Sequence, residues 1–542
     1  MDQASTPDPP PATGPAVRMG TPRGRRVLLV TVLGSGMAML DATVVGIAVP
    51  VIGREFEADV GALQWVVNAY TLVLSGLLLL GGSLGDRLGR RRIFLQGTAA
   101  FAVASALCAL APNAPVLIAG RALQGVGAAL LVPGSLALLE ASFVREHRAR
   151  AIGAWSGLGG VATAAGPFIG GWLIDAASWR LIFLINLPLA AAVWFVGLRH
   201  VPESRAPGVH GRLDVVGAAV ITGGLGLLTY ALIAGEGRGW SSWPIVGALV
   251  LGLGLLVAFV FWEGRTASPL LPLSIFSSRQ LTAANVVTFV VYGALGAAVF
   301  LLPVVLQGSA GYSPLASGVA LLPLTVLMLL LSSASGELAT RIGPRAQMAV
   351  GPVVAAVGIA LFVRIDTVGD YPTQVLPGAV VLGLGLAITV APLTATALGS
   401  APPEHAGIAS AVNNDVARAA GLLAVAVVPP VSGITADAYL RPEVLLAGFR
   451  VAMLVCAVAC AVGGVLAALL IRNPPRRPGP DGTAGAEAEV GAGAGARKGD
   501  GGEREDGDHP SPCFHCGLDA PPPTPTAPPP TPGPPDQPPP RR

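Results

Sequence analysis

Four ionisable residues, Asp41, Arg121, Asp415 and Arg418, sit inside long apolar stretches of this chain. An ionised side chain at the centre of a hydrocarbon layer costs ~3 kcal/mol or more, so each such group is a candidate for a working role. A carboxylate that moves between an apolar pocket and the side of an arginine changes its hold on a proton. Asp41 lies about nine residues from one end of its apolar run, and Arg121 about six from the matching end of its own. At ~1.5 Å per residue their depths agree within about 5 Å. The two could exchange a proton-dependent bond, or form a static tether. Asp415 precedes Arg418 by one helical turn, so local neutralisation and a second proton site are both open. No histidine falls in an apolar run, and any titrating relay must rely on carboxylates.

The elements that would hold these residues follow from composition. With 52% hydrophobic and 12% charged residues, the chain has too little polar surface for a soluble globule of 542 residues. Its apolar runs are long enough to cross about 30 Å of hydrocarbon as helices. They lie at 27–49, 62–83, 93–112, 115–139, 151–174, 181–198, 215–234 and 244–262. Six more lie at 283–306, 315–334, 346–363, 373–397, 406–430 and 447–471. The runs are continuous in Leu, Val, Ala and Gly rather than alternating, which excludes a membrane β-barrel. The expected fold class is an all-α integral membrane protein with about fourteen transmembrane helices. The first run, although preceded by Arg18, Arg23, Arg25 and Arg26, is too long for a cleaved signal and is kept as a span.

Basic residues divide unevenly between the two sides. Taking the N-terminus as inside, the inner segments up to Arg477 hold 21 and the outer ones 6, which predicts both termini in the cytoplasm of a multi-pass cell-membrane protein. The loop at 398–405 is placed inside although it has neither Lys nor Arg. Cys108, Cys456 and Cys460 fall in spans and Cys513 and Cys516 in the tail, a distribution that gives no disulfide framework. The single lysine, Lys498, is not part of a phosphate-binding G-x-x-x-x-G-K-[ST] loop, so nucleotide-driven pumping by the chain itself is excluded.

Gly82, Leu84, Arg87, Gly89 and Arg91 match Gly336, Leu338, Arg341, Gly343 and Arg345 at a constant offset of 254 residues. Such a repeat is typical of secondary transporters, with a site near the midplane between the halves. The expected organisation is a cytoplasmic segment 1–26, a six-helix half 27–198, a cytoplasmic loop 199–214, two inserted helices 215–262 read as a spacer, a linker 263–282, a second six-helix half 283–471 and a disordered cytoplasmic tail 472–542. The tail from Asn473 holds 19 prolines and cannot bury a core. His509, Cys513, His515 and Cys516 cluster within it, but zinc sites usually draw on two separated ligand pairs, so no metal site is assigned.

The motifs resemble those of the major facilitator superfamily, and within it the fourteen-span drug:proton antiporters. The stretch Leu40 to Pro50 is similar to the first-helix signature, with Gly46 where an Asn is usual. Gly82-Ser83-Leu84-Gly85-Asp86-Arg87-Leu88-Gly89-Arg90-Arg91-Arg92 matches the superfamily's loop motif in full. Arg121 to Gly127 resembles the fourth-helix motif, and Gly166-Pro167-Phe168-Ile169-Gly170-Gly171 the fifth-helix antiporter motif, with Ala162 replacing a customary Gly. Trp179-Arg180 and Asn186-Leu187-Pro188 complete a pattern seen in the fourteen-span branch.

This resemblance implies a major facilitator fold and proton-coupled export of a small lipophilic drug, antibiotic or secondary metabolite. It gives Asp41 a proton-coupling role with Arg121, and the loop carrying Gly82, Asp86, Arg87, Gly89, Arg90 and Arg91 a gating role, where the bland reading is that its arginines only hold it inside. Gly166, Pro167, Gly170 and Gly171 are assigned to the antiporter helix. Gly153, Gly157, Gly166 and Gly170, at four-residue spacings, are expected to let helices approach closely. Gln124, Asn413, Asn414, Asp415 and Arg418 are candidates for the substrate cavity. The expected partners are a small-molecule substrate, protons and the lipid bilayer, with no nucleic acid, no cofactor and a monomeric state; the energy source is the proton gradient. An uptake symporter and a transport-dead sensor are the rival readings. No nucleophile with a base appears in the membrane region, and an enzyme is not expected.

Overall fold

Thr21, Asp59 and Asn113 begin three of the helices in the same way, each accepting a backbone N–H three residues on: Gly24 at 3.1 Å, Ala62 at 2.7 Å and Val116 at 3.0 Å. These caps satisfy donors that a helix start leaves orphaned. The computed structural model describes residues 17–473 except 207–211, 368, 401–405, 435–437 and 439–440. The tail cluster of His509, Cys513, His515 and Cys516 and most of the 398–405 loop lie outside the described residues.

Among the described residues, fourteen helices are long and apolar enough to cross a membrane. The first six are α1 (Pro22–Phe56), α2 (Val60–Leu88), α3 (Arg90–Ala109), α4 (Ala114–Ser142), α5 (Arg145–Ala176) and α6 (Leu181–His200). Then come α7 (Val215–Arg238) and α8 (Trp243–Glu263). The last six are α9 (Arg279–Gly308), α10 (Pro314–Ile342), α11 (Pro344–Arg364), α12 (Tyr371–Gly399), α13 (Ala406–Val431) and α14 (Pro442–Leu470). Apart from an isolated bridge between Val17 and Phe143, the described residues are helices and their connections. Several helices run past the apolar windows read from sequence, because a helix continues into the interface until a cap ends it.

The first six helices pack on one another, as do the last six, and α7 lies against both α2 and α13. At its start Asp214 accepts from Gly217 N at 2.7 Å and from the Trp262 indole at 2.8 Å, which ties α7 to the end of α8. The outer surface of α8 exposes Val250, Leu251, Leu253, Val257 and Phe261. A continuous apolar face of this kind is stable in hydrocarbon and not in water.

Among the described residues, hydrogen bonds join the halves away from the arginine-rich loops. Gln64 donates to Val425 O at 2.6 Å, Asn68 to Leu422 O at 3.3 Å and Gln307 to Ile47 O at 2.9 Å. At the end of α5, Asp175 Oδ2 accepts from Ser313 Oγ at 2.9 Å and from Leu315 N at 3.0 Å at the start of α10. The glycines of α5 divide along the same line. Gly171 meets Leu315 at 2.6 Å from where a Cβ would sit, and Gly166 and Gly170 lie against Thr43 and Val44 of α1. Gly153, Gly157 and Gly160 face open space. The expectation that all four of the spaced glycines permit close approach is therefore corrected for Gly153 and Gly157. The halves are closed on the face opposite the basic loops, and the basic-face end of α5 is uncovered.

Candidate functional site

The network around Asp41 is built from α1, α2, α3, α4 and α6. Asp41 is 0% exposed and Arg121 1%, and Arg121 Nη1 donates to Asp41 Oδ2 at 2.5 Å. The same Nη1 reaches Gln124 Oε1 at 2.6 Å, and Nε donates to Val66 O at 3.1 Å. The guanidinium lies over the Tyr70 ring, 4.4 Å from its centroid, an arrangement that adds attraction in a dry site. Gln124 is one turn along α4, so Arg121 and Gln124 present their heads together.

Gln124 Nε2 donates to Asp41 Oδ1 at 2.8 Å and to Ser105 Oγ at 2.9 Å. From α6, Asn186 Nδ2 reaches Asp41 Oδ1 and Ser105 Oγ, both at 3.3 Å. The placement of Asn186 has a local cause. The helix pauses at Ile185 between Leu181–Leu184 and Asn186–His200, and Pro188, which has no N–H to offer, falls in the first turn after the restart, where proline is tolerated. The carboxylate thus receives donors on both oxygens, which is how a buried charge is made tolerable. Such a pair is costly to break from one side only.

The other candidates separate. Gln124, expected in the substrate cavity, is 0% exposed and belongs to the Asp41 network. Asn413 is likewise buried rather than cavity-lining. Its amide donates to Asn285 Oδ1 at 2.9 Å and Thr288 Oγ1 at 2.8 Å on α9, because that face of α13 packs on α9. Asn414 is exposed and donates to Ser410 O at 3.0 Å. Asp415 and Arg418 are half-buried. Asp415 Oδ1 is buried with no hydrogen-bond partner, and among the described residues no ion pair within 4.0 Å joins it to Arg418. Asp415 and Arg418, one helical turn apart, thus stand near each other without forming an ion pair.

The loop after α2 is tied to the segment that follows α6. Asp86 pairs with Arg90 at 2.8 Å, and Arg87 Nη2 donates to Arg212 O at 3.3 Å. Gly89 has φ +119°, a conformation that side chains other than glycine's resist. It lets the chain turn so that Arg91 N and Arg92 N donate to Glu203 at 3.0 and 3.2 Å. Arg91 Nη1 also reaches Val201 O at 3.1 Å, and Arg90 Nη1 reaches Ala137 O at 3.5 Å. Gly82 lies against Pro133 of α4. On α5, Gly166, Gly170 and Gly171 pack as described above, and the Pro167 carbonyl meets Gly318 of α10.

The sequence marks Asn186 only as part of a pattern and does not set Ser105 or Tyr70 apart. All three are buried polar residues within apolar runs. Amides and hydroxyls are common there because they can bond locally, so they stand out less than charges do.

The sequence pattern defining the family described as Major Facilitator Superfamily matches residues 31–425. The chain belongs to the major facilitator superfamily. It is therefore a multi-pass membrane transporter by family. It is 37% identical over 419 residues to the methylenomycin A resistance protein of Bacillus subtilis, covering 77% of this chain and 89% of the relative. It is 35% identical over 407 residues to the tetracenomycin C resistance and export protein of Streptomyces glaucescens, covering 75% and 76%. Among solved structures, the peptide transporter POT in complex with sulfate aligns with a TM-score of 0.61 at 15% identity, over 84% of this chain and 97% of that one. At that identity the likeness speaks for the fold alone. With its superfamily motifs, the chain falls in the branch of fourteen-span drug and antibiotic resistance transporters.

Proposed function

We propose that this protein exports a small lipophilic drug, antibiotic or secondary metabolite in exchange for protons, with the arginine-rich face in the cytoplasm. The observation that carries the coupling is the fully buried Asp41–Arg121 pair, sealed among five helices of one half. Export is supported by similarity to resistance proteins, one of them named for export. The orientation rests on the excess of basic residues on one face, since such residues are retained in the cytoplasm.

In this reading a proton reaching Asp41 from outside cancels the charge that Arg121 pairs with, and the halves are freed to rearrange. The structure is closed on the face opposite the basic loops through Asp175, Gln64, Asn68 and Gln307, a form that takes up substrate from the cytoplasm. Opening outward requires these bonds to part and the uncovered glycines of α5 to gain a partner. Asp415, with one buried oxygen unpaired, and Arg418 are the charged groups available to a substrate in the second half. The proton gradient is the energy source, and the working unit is the single chain.

The test is the minimum inhibitory concentration of a broad antibiotic and dye panel in a pump-deficient bacterium expressing the protein, with Asp41→Asn alongside at equal expression. Resistance that disappears in Asp41→Asn supports coupled export. Resistance that survives in Asp41→Asn removes that residue from the mechanism, and increased sensitivity to a compound would indicate uptake.

A further inference from the structure

We propose that Asn186 reads the protonation state of Asp41 by exchanging the two ends of its amide: the NH2 donates to the carboxylate, and the carbonyl accepts from the carboxylic acid. The proposal rests on the proton-carrier reading of Asp41 and adds a residue and a movement to it.

The hydrogen-bond partners of Asp41 are all donors: Arg121 Nη1 on Oδ2, and Gln124 Nε2 and Asn186 Nδ2 on Oδ1. That set suits an ionised carboxylate. A protonated carboxyl brings an O–H of its own and needs an acceptor. Val66 O already accepts from Arg121 Nε, and Gln124 Oε1 is held by Arg121 Nη1 at 2.6 Å. Turning the Gln124 amide would set its NH2 against the guanidinium. Ser105 Oγ receives both amides. The remaining acceptor is Asn186 Oδ1, a buried atom with no hydrogen-bond partner on a residue that is 0% exposed.

An unpaired buried acceptor costs about 1–3 kcal/mol, so its presence beside the one buried acid of this half calls for a reason. Half a turn about the last torsion of Asn186 exchanges oxygen and nitrogen within nearly the same volume, and that torsion is broad and close to two-fold. The carbonyl then faces Asp41 Oδ1 and Ser105 Oγ, both of which carry a hydroxyl hydrogen to give. The proton gained is the only atom added. Arg121, relieved of its counter-charge, keeps Val66 O, Gln124 Oε1 and the Tyr70 ring. The titratable and charged groups facing Asp41 are Arg121 from α4, Tyr70 from α2 and Cys108 from α3, with Arg418 of α13 acting on Tyr70. None of these offers an acceptor in the position of the Asn186 amide.

The experiment is infrared difference spectroscopy of the purified full-length protein between alkaline and acidic buffer, with protons as the only ligand. An acid-form carboxyl C=O band that vanishes in Asp41→Asn belongs to Asp41. In Asn186→Leu, which removes both donor and acceptor in a similar volume, that band is expected to move to higher wavenumber, as an O–H without an acceptor does. Asn186→Ala repeats the measurement if Asn186→Leu does not give the native amide band. A purely structural Asn186 would leave the carboxyl frequency in place, and an unmoved band in the folded variant overturns the proposal. Loss of no acid-form band in Asp41→Asn would instead overturn the proton-carrier reading beneath it.

Discussion

The two halves make the same helix-to-helix corner from different materials. After α2 the chain turns at Gly89, and the N-terminus of α3 is received by the Glu203 carboxylate just past α6. After α10 it turns at Gly343, φ +86°, and Arg345 N at the start of α11 donates to Asn473 Oδ1 at 3.0 Å just past α14. Arg91 reaches back to Val201 O and Arg345 to Ala468 O, so the repeat is geometric as well as written. The charges differ. Asp86 and Arg90 have Thr340 and Pro344 at the corresponding positions, and an ion pair at the second half's corner, Glu337–Arg341, is 65% and 71% exposed. The interiors differ in the same sense: Asp41 has donors on both oxygens, whereas Asp415 leaves one buried oxygen unpaired. The corner is shared by both halves, and the first half carries the more organised charge.

This contrast can be broken at several points. The largest effect is expected on export, where Asp41→Asn should lower the rate ~100-fold or more and Asp415→Asn about tenfold or less, the difference corresponding to ~1.4 kcal/mol or more of barrier. Equal losses in flux measured at matched protein amounts would erase the distinction between the halves. Next, Arg121→Ala strands a buried carboxylate and should destabilise the protein by about 3–5 kcal/mol, whereas Arg418→Ala, which breaks no ion pair, should cost less than ~1 kcal/mol. Thermal unfolding in detergent separates the two.

A smaller effect distinguishes the ends of α5. Gly166→Val drives a side chain into Thr43 and should cost ~1–3 kcal/mol of stability, while Gly157→Val, facing open space, should leave unfolding unchanged and slow export by obstructing closure of the basic face. The smallest is at the corners. Glu203→Ala and Asn473→Ala should each cost ~1 kcal/mol as lost caps, with only the Glu203 variant's loss shrinking as salt is raised.

The fold class was legible because each span needs a long uninterrupted apolar run, and fourteen such runs are hard to mistake. The ends were less so: α1 starts at Pro22 and not at 27, since Thr21 and not hydropathy decides where it begins. The depth of Asp41 and Arg121 could be read by counting residues, and it put them at the same level. Side-chain direction could not be counted. Asn413 faces α9 and Gln124 faces Asp41 because neighbouring helices, absent from a one-dimensional pattern, decide which face of α13 or α4 is covered. The α5 glycines show the same limit. Their spacing is uniform, but Gly166 is packed and Gly157 is not, because contact depends on which way the halves are tilted.

The most direct measurement reconstitutes the protein in liposomes, drives it with an outwardly directed gradient of a compound to which it confers resistance, and follows the pH on the far side. Coupled export through Asp41 predicts counter-movement of protons by the wild type, and compound flux without proton movement, or no flux, in Asp41→Asn. Proton counter-movement of wild-type size in Asp41→Asn would contradict it.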